Sequence, residues 1–268
     1  MEGCFRTFRS SEELLQRPFD VAVVMPSILR PSLVDALFSV FRQEKPERIQ
    51  VLIGIDQPGD TASPDIALIE RACKEMPPHI VVQVLYPGYS TSVRHGGLAL
   101  ACDGGSLRTI LTHLANAPYI AYLDDDNTWT PDHLLHLLHA IAHVDYAWSL
   151  RWFVHHTTGR PVAIDEWESV GPGMGIFAAR FGGFIDPSCL MIRRERCKEA
   201  LVAWTAPVPG DPSGMSADRM VFSRLLHLWG ASVCKATTLY RVNPADGLHE
   251  FRLQMMRGAY EAPERDRG

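Results

Sequence analysis

The sequence lacks an uninterrupted apolar run of about 18 residues, the length a membrane-spanning helix needs, so no span is expected. Its first twenty residues carry Arg6, Arg9, Glu12, Glu13 and Arg17 and no apolar core of the kind a secretory signal shows. It also lacks a basic excess. The formal net charge is −5, so no nucleic-acid partner is expected. The six cysteines (Cys4, Cys73, Cys102, Cys189, Cys197, Cys234) are scattered, with no CxxC pair. They predict reduced thiols of a cytoplasmic protein, compatible with a peripheral position at the inner face of a membrane, and neither a disulfide framework nor a zinc site. No repeat or low-complexity segment stands out, and there is no Walker motif. The segment Pro26-Ser27-Ile28-Leu29-Arg30 contains no glycine, whereas a nucleotidyltransferase is expected to hold its triphosphate on a glycine-rich loop there.

What is present is a chain of 268 residues, 46% of them hydrophobic, enough for a sizeable core. Val21–Ser27 is a valine-rich run that suits a strand buried on both faces. Pro31 then sits where a helix begins, and residues 32–43 place Leu33, Leu37, Val40 and Phe41 on one face. Further strands are predicted at 49–56, 80–86 and 119–123, and further helices at 64–75, 106–115 and 131–143. The second strand runs into a loop at Gln57-Pro58-Gly59-Asp60. This alternation argues for an α/β fold with a mainly parallel sheet flanked by helices. Ligands of such sheets bind beyond the carboxyl ends of the strands, which directs attention to Ser27, Asp56 and the run 124–127. The second half reads as less regular. Strands are expected at 146–154, 186–192 and 232–242, helices at 217–229 and 249–257, and long Gly- and Pro-rich loops at 157–183 and 205–216. No linker is visible, so residues 1–268 are assigned to a single domain with a nucleotide-binding half (about 20–130) and an irregular acceptor-binding half (about 131–268).

The most informative stretch is Leu123-Asp124-Asp125-Asp126-Asn127, where an apolar strand runs directly into three carboxylates. Adjacent negative charges repel, and a divalent cation relieves them; oxygen ligands suit Mg2+ and Mn2+, which commonly take one or two carboxylates plus substrate phosphates. The alternative is an acidic turn ahead of the next helix, although Thr130 before Pro131 can cap that helix unaided.

The order of these segments resembles glycosyltransferase family 2, on the GT-A (Rossmann-like) fold, over roughly residues 20 to 230. The likeness rests on Val24-Met25-Pro26-Ser27, Arg30-Pro31, Ser39-Val40-Phe41-Arg42-Gln43, residues 51–56, Gly104-Gly105-Ser106-Leu107-Arg108 and residues 123–127 as a DxD motif. It implies a metal-dependent, inverting transfer of a sugar from a nucleoside diphosphate, UDP by default, to a hydroxyl acceptor such as a glycan or glycolipid precursor. It implies that Pro26, Ser27, Arg30, Asp56, Arg108, Asp124 and Asp125 line the nucleotide, with Asp56 at the base. It implies Asp126 as the direct metal ligand, with Asp124 beside it on metal, ribose or sugar.

Inverting transfer needs a base for the acceptor hydroxyl. The family places an acidic residue at the start of a helix in the second half, which matches Asp218 in Ser216-Ala217-Asp218-Arg219. Members often carry Glu-Asp there, where this chain has Ala217-Asp218. A first-turn aspartate is also favoured by the helix dipole alone. Asp186, before Pro187, resembles the stretch lining the acceptor side and has an acceptor or structural role. Trp148, Trp152 and Trp167 can stack on sugars or pack in the core. His133, His136, His139 and His143 share one helix face opposite leucines and read as a solvated face. His249 follows the last strand, where some GT-A enzymes carry an extra metal ligand, and is the candidate third ligand. His95 is placed near the nucleotide side without an assigned role. The polymerising members carry QxxRW and membrane helices; Gln254-Met255-Met256-Arg257-Gly258 breaks that motif, so a single transfer is expected. A non-catalytic binding protein on the same fold is the other class left open.

Overall fold

A run of valine and methionine is stable as a strand only if both its faces are covered, and Val21–Ser27 is buried along its whole length. Val21, Val23 and Met25 join one core cluster and Ala22 and Val24 the other, so the two faces of the strand feed two cores. The structure, a computed structural model, describes residues 5–57, 66–211, 213–214 and 217–260. Cys4, most of the 57–60 loop, the start of the expected helix at Pro64 and the Ser216 end of the second long loop lie outside the described residues.

The elements in order are β1 (Phe5–Phe8), β2 (Val21–Ser27), α1 (Leu33–Phe41), β3 (Ile49–Ile55), α2 (Ala67–Cys73), β4 (Ile80–Leu85), α3 (Gly105–Leu114), β5 (Tyr119–Tyr122), β6 (Thr128–Trp129) and α4 (His133–Ala140). There follow β7 (Tyr146–Val154), β8 (Pro161–Ile164), β9 (Gly171–Pro172), α5 (Ala178–Phe181), β10 (Gly183–Phe184), β11 (Leu190–Arg193), α6 (Arg194–Leu201), α7 (Ala217–Leu225), β12 (Gly230–Arg241) and α8 (His249–Met255). One sheet runs through both halves in the order β1-β4-β3-β2-β5-β11-β7-β12-β6, with β8 also on β7. β4, β3, β2 and β5 are mutually parallel, as are β7 and β12, whereas β11 is antiparallel to both β5 and β7. One core lies between the sheet and α1, α2 and α4, through Leu37, Val40, Ile69, Leu134 and Leu137. The other lies under α3, α6 and α7, through Leu111, Leu201, Trp204, Val221 and Phe222. No helix among the described residues is long and apolar enough to cross a membrane.

Several expectations are corrected. The stretch 157–183 is not one long loop: it carries β8, β9 and α5, and runs into β10. Residues 186–192 are not one strand, because Pro187–Cys189 form a 3-10 turn capped by the Asp186 side chain before β11 begins. Thr130 does not cap α4; its hydroxyl donates to Asp132 Oδ1 at 2.6 Å. His133 does not belong to a solvated face. It is fully buried, stacked on Trp129 with ring centroids 4.3 Å apart, its Nδ1 2.7 Å from Thr237 Oγ1. Burial pushes its pKa down to about 3, so it is a neutral core residue. His139 and His143 are exposed as expected.

Candidate active site

Parallel pairing of β2, β3 and β5 brings their carboxyl ends to one edge of the sheet. Ser27 ends β2, Asp56 follows β3, and the acidic run follows β5. α3 begins close against that edge. Gly104 has φ 80°, and a Cβ there would lie 2.8 Å from Pro26 Cβ; a Cβ on Gly105 would strike the Trp204 carbonyl oxygen. The two glycines therefore let Arg108, one turn along α3, reach the acidic run.

Pro26, Ser27, Arg30, Asp56, Arg108, Asp124, Asp125 and Asp126 all line one cavity of about 410 Å3, with His95 at its wall. Asp125 is buried and fully engaged. Its Oδ2 accepts from Ser27 Oγ at 2.6 Å and from the Ile28 amide at 3.2 Å, and its Oδ1 from Arg30 Nη1 at 2.6 Å. It ties the β2 loop to the acidic run while lining the cavity. Asp124 Oδ1 accepts from Arg108 Nη2, and the Arg108 guanidinium rests over Trp204 at 5.0 Å. Asp56 accepts from the amide and hydroxyl of Thr91 at 2.7 and 3.0 Å, which fixes the loop forming the far wall.

Asp126 differs from its neighbours. Among the described residues its one side-chain hydrogen bond is from Arg30 Nη1 at 3.2 Å, and 38% of its side chain is exposed. Burial, and then the charge of Asp124, push its pKa up to about 7 against the opposing pull of Arg30. A carboxylate whose charge is opposed in this way is one a cation would relieve. Among the described residues no group of three or more His, Cys, Asp or Glu is arranged to hold a metal. What the cavity offers a cation is the exposed Asp126 carboxylate with Asp124 beside it, a set of one or two carboxylates of the kind that Mg2+ or Mn2+ completes with substrate oxygens. His249 is not brought to this run. It lines neither this cavity nor its neighbour, its ring packs on Tyr260 at 5.8 Å, and its Nδ1 is buried without a partner among the described residues.

A second cavity of about 680 Å3 shares Asp103, Arg108, Asp124, Asp126, Tyr240, Asn243 and Asp246 with the first, and Asp186 and Asp218 line it. Asp218 stands at the start of α7, and burial, with Asp103 and Asp186 adding, pushes its pKa up to about 7 while Arg219 opposes. Asp186 accepts from Arg151 Nη1 at 2.6 Å and from the Ser188 amide at 2.8 Å. Arg151 also reaches Asp165 at 2.8 Å and Glu168 at 2.9 Å, and Glu168 accepts in turn from Arg252 at 2.7 Å, which holds Asp246 at 2.8 Å. Tyr240 lies beneath Arg151 with its ring 3.9 Å from the guanidinium. Trp148, Trp152 and Trp167 line neither cavity; Trp148 is buried and Trp167 stacks on Phe153.

Sequence reasoning missed Asp103, Arg151, Glu168, Tyr240, Asn243 and Asp246. A signal existed for Arg151: a lone charge inside the apolar strand 146–154 has to be paired on folding. Asp103, directly ahead of Gly104-Gly105, was a weaker one. The acids that meet Arg151 and Arg252 come from distant segments, and nothing local announces them.

No family model and no curated protein matches the sequence. Solved structures do match in shape. S. aureus TarS, residues 1–349, aligns with a TM-score of 0.56 at 15% identity over 83% of this chain and 60% of that one. Its complex with UDP-GlcNAc gives 0.58 at 13% identity over 90% and 66%. The mannosyltransferase PcManGT from Pyrobaculum calidifontis, in complex with GDP-Man and Mn2+, gives 0.52 at 14% identity over 91% and 66%. The chain thus spans less than two thirds of the length of these structures. At such identities what is shared is the architecture, and the chain has the GT-A fold.

Proposed function

We propose that the chain is a metal-dependent glycosyltransferase that moves a single sugar, with inversion, from a nucleoside-diphosphate sugar to a hydroxyl acceptor such as a glycan or glycolipid precursor. The observation that carries this reading is the meeting of two cavities at Asp124 and Asp126, one lined by the strand-end residues and the other by Asp218. A donor in the first cavity and an acceptor in the second would have their reacting atoms at that junction. The likeness in fold to proteins solved with UDP-GlcNAc and with GDP-Man and Mn2+ supports the donor class, and UDP is the first nucleotide to test.

In this reading Asp56 holds the base, and Ser27 and Pro26 form the floor under the nucleoside. Asp126, with Asp124 beside it, would hold Mn2+ or Mg2+, whose chemistry there is to neutralise charge on the leaving diphosphate. Arg30 and Arg108 place two further positive charges in the same cavity. Asp218 takes the proton of the acceptor hydroxyl as its oxygen attacks the anomeric carbon and the bond to the diphosphate breaks on the opposite face. A carboxylate pushed up to about 7 suits that task near neutral pH.

The test is calorimetric titration with UDP and GDP, with Mn2+ or with excess chelator, on the wild type and on Asp126→Ala. Metal-dependent binding that weakens in the variant supports the reading. If neither nucleotide binds with metal present, the donor site is wrongly assigned and a non-catalytic role takes its place.

A further inference from the structure

Of the four arginines that line the larger cavity, three have their charge matched by hydrogen-bonded carboxylates: Arg108 by Asp124, Arg151 by three acids, and Arg252 by Glu168 and Asp246. Arg219 does not. Four fifths of its side chain is buried, yet among the described residues its guanidinium makes no hydrogen bond. Its nearest acidic oxygen, on Asp218, is 3.7 Å from Nη1, beyond bonding distance. Three rings hold it instead, with centroids 4.8 Å (Phe177), 5.7 Å (Phe181) and 5.4 Å (Phe184) away. A guanidinium lying on aromatic faces is fixed in place while its in-plane N–H donors stay available.

Arg219 also lines a side chamber of about 280 Å3, which shares Phe177, Asp211 and Arg219 with the larger cavity. Arg180 stands at its rim, stacked on Phe181 at 4.9 Å and likewise without a hydrogen bond among the described residues. The acid in the chamber, Asp211, has its Oδ1 taken by the amide and hydroxyl of Ser213 at 2.9 and 2.7 Å. Two guanidinium groups on one chamber, Arg219 seated on three rings and the exposed Arg180 on one, stand next to the candidate base, and such planar forks suit an oxyanion.

We propose that Arg219 and Arg180 form a subsite for an anionic group, a phosphate ester or a carboxylate, carried by the acceptor. As an acceptor subsite it rests on the transferase reading; as an anion site it stands without it. The chamber then selects a charged acceptor over a neutral one and orients its hydroxyl toward Asp218.

The experiment measures binding of glycerol 3-phosphate and of glucuronate by ligand-observed NMR. Glycerol and glucose serve as their neutral counterparts, and UDP with Mn2+ is titrated in parallel. The full chain is compared with Arg219→Lys, Arg219→Ala and Arg180→Ala. At least one anion is expected to bind about tenfold tighter than its neutral counterpart, as charge-assisted hydrogen bonds require, and to lose that advantage in both Arg219 variants. Arg219→Lys keeps the charge but not the fork, so its loss separates bidentate recognition from general attraction. Preference for the phosphate or for the carboxylate names the acceptor class. Equal binding of anion and neutral counterpart overturns the proposal, as does unchanged anion binding in all three variants. If the Arg219 variants do not fold, the exposed Arg180 decides: a weakened anion in Arg180→Ala supports the subsite, and no change overturns it. Anion binding without nucleotide binding keeps the subsite and removes the transferase reading; nucleotide binding without anion preference does the reverse.

Discussion

Asp218 is a carboxylate whose surroundings oppose its charge, and two consequences follow from that one fact. As the proposed base it would act only when ionised, so kcat/KM is expected to rise with pH and level off above about 7, where burial has moved its titration. Asp218→Asn keeps the shape and removes the base. It should lower kcat by about 10²- to 10⁴-fold and leave UDP binding unchanged; an equal loss in nucleotide affinity would mean that Asp218 serves the donor site instead. The second consequence concerns stability. Its folded pKa, about 7, lies above the ordinary carboxylate value of about 4. Between those values the folded chain holds a proton that the unfolded chain has lost, so this group's contribution falls as pH rises through the window. Asp218→Asn should accordingly melt higher than the wild type at pH 8, with the difference shrinking toward pH 5. A lower melting temperature at pH 8 would show that the carboxylate is a structural partner and not a strained functional group.

At the scale of elements, the Arg151 network joins pieces that sequence reading kept apart. Arg151 on β7 binds Asp165 and Glu168 beyond β8 and Asp186 ahead of β11, and Glu168 passes the connection to Arg252 on α8. Removing a buried cation while its partners stay costs about 3–5 kcal/mol. Arg151→Met should lower the urea midpoint accordingly, whereas a loss below about 1 kcal/mol would show that water already solvates these acids. The first half was legible because its strands are continuous apolar runs and its helices carry apolar stripes, so β2, α1, β3, β4 and β5 fall within a residue or two of expectation. The second half was less so for physical reasons. β8, β9 and β10 are two to four residues long and take their stability from pairing, which has no local signature. α6, with the sequence Arg-Glu-Arg-Cys-Lys-Glu-Ala-Leu, is mostly polar and buries only Cys197, Ala200 and Leu201, too narrow a stripe to announce itself. The histidines of α4 looked alike in sequence, yet His133 alone is met by Trp129 and by Thr237 on β12. In the candidate site the strand-end residues were readable from topology, while Arg219's aromatic seat depends on three phenylalanines brought together by tertiary packing.

Across the whole molecule, the proposed function sets metal and nucleotide against the same charges of one cavity. In that reading a divalent cation approaching Asp126 without a nucleotide meets the positive charge of Arg30, which bridges Asp125 and Asp126, and gains at most one or two carboxylates. A diphosphate approaching without a cation meets the three carboxylates 124–126, with Arg108 already engaged by Asp124. Each of the proposed ligands would then supply what the other lacks, the cation relieving the carboxylates and the phosphates completing its shell, and their binding is expected to be reciprocal. Ligands that bind only the folded chain raise its stability by an amount set by concentration relative to Kd, about 2.7 kcal/mol at a hundredfold excess. UDP with Mn2+ should then raise the melting temperature by more than the sum of the shifts from each alone, and the surplus should vanish in Asp126→Ala. Strictly additive shifts in the wild type would mean that the two ligands occupy separate places, and the junction of the two cavities would lose its role as the point where they meet.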